Sequence, residues 1–321
     1  MISYSKSYLD ALAQEHGFIR DNLEKVLRLG RILSFIHNDP LLGPSLVLKG
    51  GTAINIVVFS MPRLSVDIDL DYAINIPREE MLAQREAVNA TLMRYMASEG
   101  YAVQPASKSP HSLDSYVFGY TNAGGNPDNV KVEINYSDRC HVFPTQTSKT
   151  SVGFLDDTMV STLHPIELFA SKINALVDRA AMRDMYDVHN MITHGLFASQ
   201  KERDLLRKTF VFYHAVGASS KAEEVSLQFA SFPKIESVGY AQVRAQLAPV
   251  LSRSEKFDYE AVKAEVLAFL KQFLQFDESE YQFVKRFNQR EYHPEILFGK
   301  DIDSHNLATH PMALWKCRPK E

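Results

Sequence analysis

The segment with the clearest chemical consequence is Ser65-Val-Asp-Ile-Asp-Leu-Asp-Tyr72. Asp67, Asp69 and Asp71 alternate with Val66, Ile68 and Leu70. A β-strand through these residues therefore sends three carboxylates to one face and the aliphatic side chains to the other. At about 3.3 Å per residue, successive carboxylates stand about 6–7 Å apart. They can then share one divalent ion or flank a pair of ions about 3.5–4 Å apart. Without a cation such a row is costly, because like charges on one strand face repel. Taken alone, the alternation also fits a solvated strand face at a sheet edge.

The residues just upstream supply a second part of the same chemistry. Leu46-Val47-Leu48 runs into Lys49-Gly50-Gly51-Thr52 and then into the apolar pattern Ala53, Ile54, Ile56, Val57, Val58, a strand, a Gly-Gly turn and a helix start. Two glycines let the backbone approach a ligand, and the unpaired N–H groups of a first helical turn favour a phosphate. Thr52 is placed to cap that helix. A tight strand-to-helix turn accounts for the same residues without a ligand. A phosphate-binding turn followed closely by a carboxylate strand fits metal-assisted phosphoryl chemistry, which needs donors for phosphate oxygens and carboxylates for the ion. A further acid comes from Lys131-Val-Glu-Ile-Asn-Tyr136, where Glu133 shares a strand face with Lys131 and Asn135. Glu133 is a candidate to hold the ion or accept a proton from an attacking hydroxyl; a simple pairing with Lys131 is the alternative.

Cations follow in His164-Pro-Ile-Glu-Leu-Phe-Ala-Ser-Lys172 and its continuation to Met191. On an uninterrupted helix, Lys172, Arg179 and Arg183 fall within about 40° of one another. Such a row suits a triphosphate or an RNA backbone, with Asp184 and Asp187 placed to orient the arginines. A solvated helix face is the competing account. The interleaved Lys201, Arg203, Arg207 and Lys208, with Glu202 and Asp204, are expected to form such a solvated face.

These segments need elements to position them. The first 38 residues are helical in pattern, with Gly30 as a weak point. Between Leu46 and Tyr136, short β-like runs alternate with helices, one of them over residues 77–99, and residues 122–128 join the last two runs as a hairpin-type turn. From His164 onward the pattern is helical: Ile166, Phe169, Ile173, Leu176 and Val177 form one stripe, and Val262, Val266, Phe269, Leu270 and Phe273 another. The chain is thus expected to be α/β (α+β), with a mixed domain over residues 1–155 and a helical domain over 156–321.

Composition narrows the function. Among 321 residues, 35 Lys and Arg against 39 Asp and Glu leave a formal charge of −4, so a nucleic-acid partner must be gripped locally. A hydrophobic content of 45% supports a core in each domain. No apolar run reaches the roughly 18–20 residues of a membrane span, and the N-terminus lacks a secretory apolar centre, so a cytoplasmic protein with no membrane partner is expected. Cys140 and Cys317 lack the spacing of a zinc site or a disulfide framework. P-loop and Rossmann glycine motifs are missing. His164, His189 and His305 lack ligand spacing and are expected to be structural. Asp301 and Asp303, without a glycine turn nearby, are expected in a loop.

Four blocks in order, Lys49-Gly-Gly-Thr52, Arg63-Leu-Ser-Val-Asp-Ile-Asp-Leu70, Lys172-x-x-Ala-Leu-x-x-Arg179 and Arg183-Asp-x-x-Asp187, resemble the AbiEii/AbiGii nucleotidyltransferase family. This family is the toxin component of many type IV toxin–antitoxin systems, within the polymerase-β nucleotidyltransferase superfamily. The resemblance spans about residues 46–192. It implies a mixed-sheet nucleotidyltransferase core followed by an α-helical lobe, with a nucleoside triphosphate (NTP) and Mg²⁺ or Mn²⁺ between them. It assigns Asp67 and Asp69 to the metal pair, Gly51 and Thr52 to the phosphate-binding turn, Lys172 to the triphosphate, and Asp184 and Asp187 to the acidic residues of the last motif; with Glu133 added from its strand face, the expected catalytic set is Asp67, Asp69, Glu133, Lys172 and Asp184. Lys49, Gly50, Gly51, Thr52, Ser65, Lys172, Arg179, Arg183 and Asp187 become the nucleotide-binding set. Asp71 stands where family members often carry serine or another small polar residue.

The implied reaction moves a nucleotide from an NTP to an acceptor hydroxyl, with RNA, in particular the tRNA 3′ end, as acceptor and a cognate antitoxin as counterpart. Nucleotidylation of a protein or an aminoglycoside-like small molecule, or a non-catalytic NTP-binding module, are the alternatives.

Overall fold

The computed structural model describes residues 3–155, 158–217, 224–229, 231–299, 302 and 304–318. The chain forms two compact units. The first, comprising Met1–Arg139, Thr145–Leu163 and Pro249–Glu255, is built on a seven-stranded sheet. Its strands are β1 (Leu46–Lys49), β2 (Asp67–Tyr72), β3 (Ala102–Val103), β4 (Leu113–Thr121), β5 (Pro127–Asn135), β6 (Gln146–Lys149) and β7 (Met159–Thr162), in the order β3-β4-β5-β2-β1-β7-β6. The sheet is mixed, because β2 runs parallel to β5 and β1 parallel to β7 while the remaining neighbours are antiparallel. This is the α/β mixed sheet expected from the alternation of patterns. The sheet unit runs on past residue 155, because β7 pairs with β1 through Leu48 and Thr162. β3, β6 and β7 are too short to show a periodicity of their own.

One face of the sheet is apolar and covered. Ile68, Leu70, Val132 and Ile134 are buried there. The helix Arg20–Asn38 lies over this face, with Leu33 and Ile36 packed around Leu46, Leu48, Leu70 and Val160. The expected N-terminal helical stretch is two helices, Lys6–His16 and Arg20–Asn38, because Gly17 adopts a left-handed φ of 72° and ends the first. Gly30 in the second helix is a close approach, since a Cβ there would stand 2.9 Å from Leu155 Cδ2. The helix Arg78–Ser98 is joined to the second by Phe35 stacked on Tyr95, with ring centroids 3.7 Å apart. It also holds β4, where Arg85 and Asn89 both bind the buried Asp114 carboxylate.

The segment Pro249–Glu255 returns to this unit after the chain has built part of the other. It bonds to the residues just before β2: the Leu64 N–H donates to the Val250 carbonyl at 2.8 Å, and Arg63 pairs with Leu251. The Arg253 N–H donates to the carbonyl of Gly17. A strap from late in the sequence thus fixes the entry to the carboxylate strand.

The second unit comprises Cys140–Pro144, His164–Ala248 and Lys256–Glu321 and is helical. His164 caps the helix Pro165–Arg179, its Nδ1 accepting from the Ile166 N–H. His189 Nδ1 lies 2.8 Å from a Glu265 carboxylate oxygen; the side chain of His305, like Asp301 and Asp303, lies outside the described residues. Ile166, Phe169, Ile173 and Leu176 are buried, as are Val262, Val266, Leu270 and Phe273. Glu167, fully buried, accepts from the Val142 and Phe143 N–H groups and so pins the segment Cys140–Pro144 in this unit. Both cysteines are free, and the Cys140 thiol donates to the Asn306 carbonyl. The cluster expected as a solvated face is corrected at Arg207, whose guanidinium turns inward to the buried Glu280 at 2.8 Å. A buried carboxylate needs such a partner. Among the described residues no helix is long and apolar enough to cross a membrane.

Leu70 faces the covering helix, not the acid row, so Leu70→Ala is expected to cost about 3 kcal/mol through the cavity it leaves. Urea unfolding of the sheet unit measures this, and an unchanged midpoint would contradict the packing described.

Candidate active site

The Gly-Gly turn is shaped by what surrounds it. β1 ends at Lys49, and the chain enters the short helix Gly50–Ala53, which widens into a π turn over Ile54–Val58. Gly50 has a φ of +70°, a left-handed conformation that glycine adopts without strain. A Cβ on Gly50 would stand 2.5 Å from Asp69 Oδ2. One on Gly51 would stand 2.8 Å from Arg63 Nη2 and 3.2 Å from Ser65 Oγ. The two glycines are therefore the means by which this turn lies against the Arg63-x-Ser65-x-Asp67-x-Asp69 segment.

Thr52 does not cap the helix; Lys49 occupies the cap position, without a side-chain bond. The Thr52 hydroxyl instead contacts the Asp67 carbonyl and stands 2.9 Å from Ser65 Oγ. It ties the turn to the base of β2. Arg63, only 2% exposed, donates Nη1 to the carbonyl of Leu64 at 3.0 Å. Arg63 belongs to the Arg63–Leu70 motif, but its burial beneath Gly51 depends on packing that residue spacing does not show.

The sheet register gathers the acids. Lys49 on β1 stands opposite Asp69 on β2, and Asp69 is in register with Glu133 on β5, which faces Ser115 on β4. Asp67 is likewise in register with Lys131. Glu133, Asp67 and Asp69 thus share one half-buried sheet face, opposite the apolar one.

Two lysines bracket this face. Lys49 Nζ lies 2.5 Å from Asp71 Oδ1 and 4.0 Å from Asp138 Oδ2. Burial works against its charge, but the attraction of Asp71, Asp138 and Asp69 outweighs burial and raises its pKa. Asp71, only 2% exposed at the side chain, is thus engaged in an ion pair and is more deeply buried than Asp67 and Asp69. Asp138 carried no signal in the sequence.

Lys131 Nζ lies 2.9 Å from Glu133 Oε1. Burial opposes the Lys131 charge, and the bond to Glu133 with the attraction of Asp67 and Asp69 again raises the pKa. Burial likewise pushes the Glu133 carboxyl up, but the Lys131 and Ser115 hydrogen bonds outweigh it and hold the pKa below the ordinary glutamate value. The pairing with Lys131 and the place beside Asp69 hold together. Asp67 and Asp69 offer oxygen donors of the kind Mg²⁺ and Mn²⁺ take, and Mg²⁺ characteristically binds one or two carboxylates together with substrate phosphates. Among the described residues no group of three His, Cys, Asp or Glu forms a metal cage.

In the helical unit, the expected uninterrupted helix is corrected. Ala180 adopts a left-handed φ of 50° and ends the helix Pro165–Arg179, and a new helix, Met182–Thr193, begins after Ala181. The corner brings Asp184 and Asp187 back onto Lys172, whose Nζ lies 2.9 Å and 3.1 Å from them. Arg179 Nε adds a bond to Asp184 at 2.8 Å. Arg183 donates instead to the Gln246 carbonyl at 2.9 Å. Burial pushes the Asp184 carboxyl up, but Lys172 and Arg179 outweigh it and lower its pKa.

The fold has the architecture of a nucleotidyltransferase toxin. MenT4, a nucleotidyltransferase toxin from Mycobacterium tuberculosis H37Rv, superposes with a TM-score of 0.62 at 15% identity, covering 99% of this chain and all of that one. JHP933 from Helicobacter pylori superposes with a TM-score of 0.50 at 17% identity, over 80% of this chain and 94% of that one. No curated protein matches the sequence. Residues 31–289 match the family described as nucleotidyl transferase AbiEii toxin, type IV TA system, and the chain belongs to that family of nucleotidyltransferases.

Gly50→Ala places a methyl against the Asp69 carboxylate and strains the turn, so nucleotidyl transfer should fall about tenfold or more. A steady-state rate equal to wild type would refute the positioning of Asp69 by the turn. Asp184→Asn should cost about 3 kcal/mol at pH 7, because it breaks a buried ion network. The folded pKa of Asp184 lies below the unfolded value of about 3.9, so this stability is fully present above that value and is lost as pH falls through the folded pKa. Urea unfolding of both proteins from pH 7 to 3 should show the difference shrinking with acid.

Proposed function

We propose that the chain transfers a nucleotide from an NTP to an RNA hydroxyl, the 3′ end of tRNA, and acts in the cytoplasm as a growth-inhibiting toxin restrained by a cognate antitoxin. The observation that carries the chemistry is the register of Asp69 with Glu133, on a face opening beside the Gly50–Gly51 turn. Family membership implies the NTP and the antitoxin. Mg²⁺ or Mn²⁺ held by Asp67 and Asp69 would neutralise charge on the phosphate and the departing pyrophosphate.

The chain's own residues do the remaining work by position and charge. Gly50 and Gly51 leave the backbone open to phosphate oxygens. Thr52, Ser65 and Arg63 hold that turn against β2. Glu133, in register with Asp69 on the same face, accepts the proton of the attacking hydroxyl. In the helical unit, Arg179 is the cation with the most accessible side chain of its cluster, 62% exposed, and it meets phosphate oxygens while Asp184 orients it. Lys172 and Asp187 fix Asp184 in turn.

Purified protein incubated with Mg²⁺, each labelled NTP in turn, and total cell RNA and protein tests this reading. Label is expected in small RNA. Label in the protein or small-molecule fraction instead would overturn the RNA acceptor. Asp67→Ala and Asp69→Ala should each lower transfer at least a hundredfold, while the urea midpoint stays equal or rises as repulsion in the row is relieved. Retained activity in either variant would remove the metal assignment.

A further inference from the structure

The acid row has two cationic neighbours, and they are held differently. Lys49 reaches Asp71, a carboxylate almost wholly buried, with Asp138 behind it, so its ammonium is anchored within the protein. Lys131 stands in register with Asp67 on the parallel neighbour strand. Its side chain is 39% exposed, and its ion pair with Glu133 at 2.9 Å joins it to a carboxylate that is itself 27% exposed. Half-exposed pairs of this kind are weakly held, because water competes for both partners and a long side chain loses freedom in forming them. A doubly charged ion entering the same face therefore meets a cation that can swing away.

From this we infer that Lys131 is a positioning residue, a built-in counterion of the acid row that competes with the divalent cation and sets how tightly the ion is held. The ammonium offsets the repulsion among Asp67, Asp69 and Glu133. When the ion takes over that task, Lys131 turns from Glu133 toward solvent and leaves the carboxylate to the acceptor hydroxyl. Lys49, anchored on Asp71, stays in place.

The inference rests on the proposal that Asp67 and Asp69 hold the metal, and binding of the metal alone separates the two. The full-length protein is titrated with Mn²⁺, and the free ion is followed by its electron paramagnetic resonance signal. One unit charge about 6 Å from a divalent ion in water-like surroundings changes its binding about tenfold. Lys131→Met and Lys131→Gln should therefore bind Mn²⁺ about tenfold more tightly than wild type, while Lys131→Arg, which keeps the charge, should match wild type. The Gln variant guards against a folding defect in the Met variant.

Equal affinities in wild type, K131M and K131Q, with binding lost in Asp69→Asn, would overturn the role of Lys131 and leave the metal assignment standing. An arginine variant that tightens binding as much as methionine would overturn it too, since charge would not be the cause. If Asp69→Asn binds as well as wild type, the metal assignment itself fails, and this inference with it.

Discussion

Repulsion among carboxylates on one face of β2 is the constraint to which the rest of the sheet unit answers. An alternating Asp-x-Asp-x-Asp strand is unfavourable unless positive charge comes from outside it. The sheet order supplies this charge from both sides. β1 contributes Lys49 opposite Asp69, and β5 contributes Lys131 beside Asp67. The ammonium groups do not spend themselves equally: Lys49 is taken up by Asp71, the most buried of the three acids. Asp67 and Asp69 lie on the half-buried part of the face. The third acid is thus the anchor of a counter-cation.

The second constraint is steric. Asp69, Arg63 and Ser65 crowd the Gly50–Gly51 turn so closely that side chains there would collide with them. The same crowding makes the turn rigid, and rigidity has value where catalysis works through preorganised charge. Arg63 and Leu64 are in turn held by Val250 and Leu251 from the returning strap. The carboxylate strand is therefore fixed at its entry by residues nearly two hundred positions later in the chain. Damage far along the sequence can then loosen the motif without touching an acid.

Much of this arrangement was legible in the sequence, for a definite reason. The period of two in β2 and the strand–glycine–helix order are local patterns, and local sterics fix what they become. Glu133 was legible by the same parity. What was hidden depended on partners distant in sequence: which strand lies beside β2, the inward turn of Arg63, and the meeting of Lys49 with Asp138. β3, β6 and β7 pair by register with longer strands and carry too few residues to show alternation. The break at Ala180 was illegible for the opposite cause. Ala180-Ala181 is favourable helix sequence, and tertiary packing overrides that preference.

That break also decides how the cations of the helical unit are used. On one continuous helix, Lys172, Arg179 and Arg183 would form a row along one side. With the corner in place, Lys172 is enclosed between Asp184 and Asp187, and Arg183 is committed to the end of the helix Tyr240–Gln246. Two carboxylates around one ammonium leave net negative charge, and Arg179 balances it from the surface side. A buried ion network of this kind adds little net stability over apolar packing but is costly to break, and it admits one arrangement of its members. The consequence of the corner is geometric: the buried Lys172, Asp184 and Asp187 fix the position of the exposed Arg179 guanidinium.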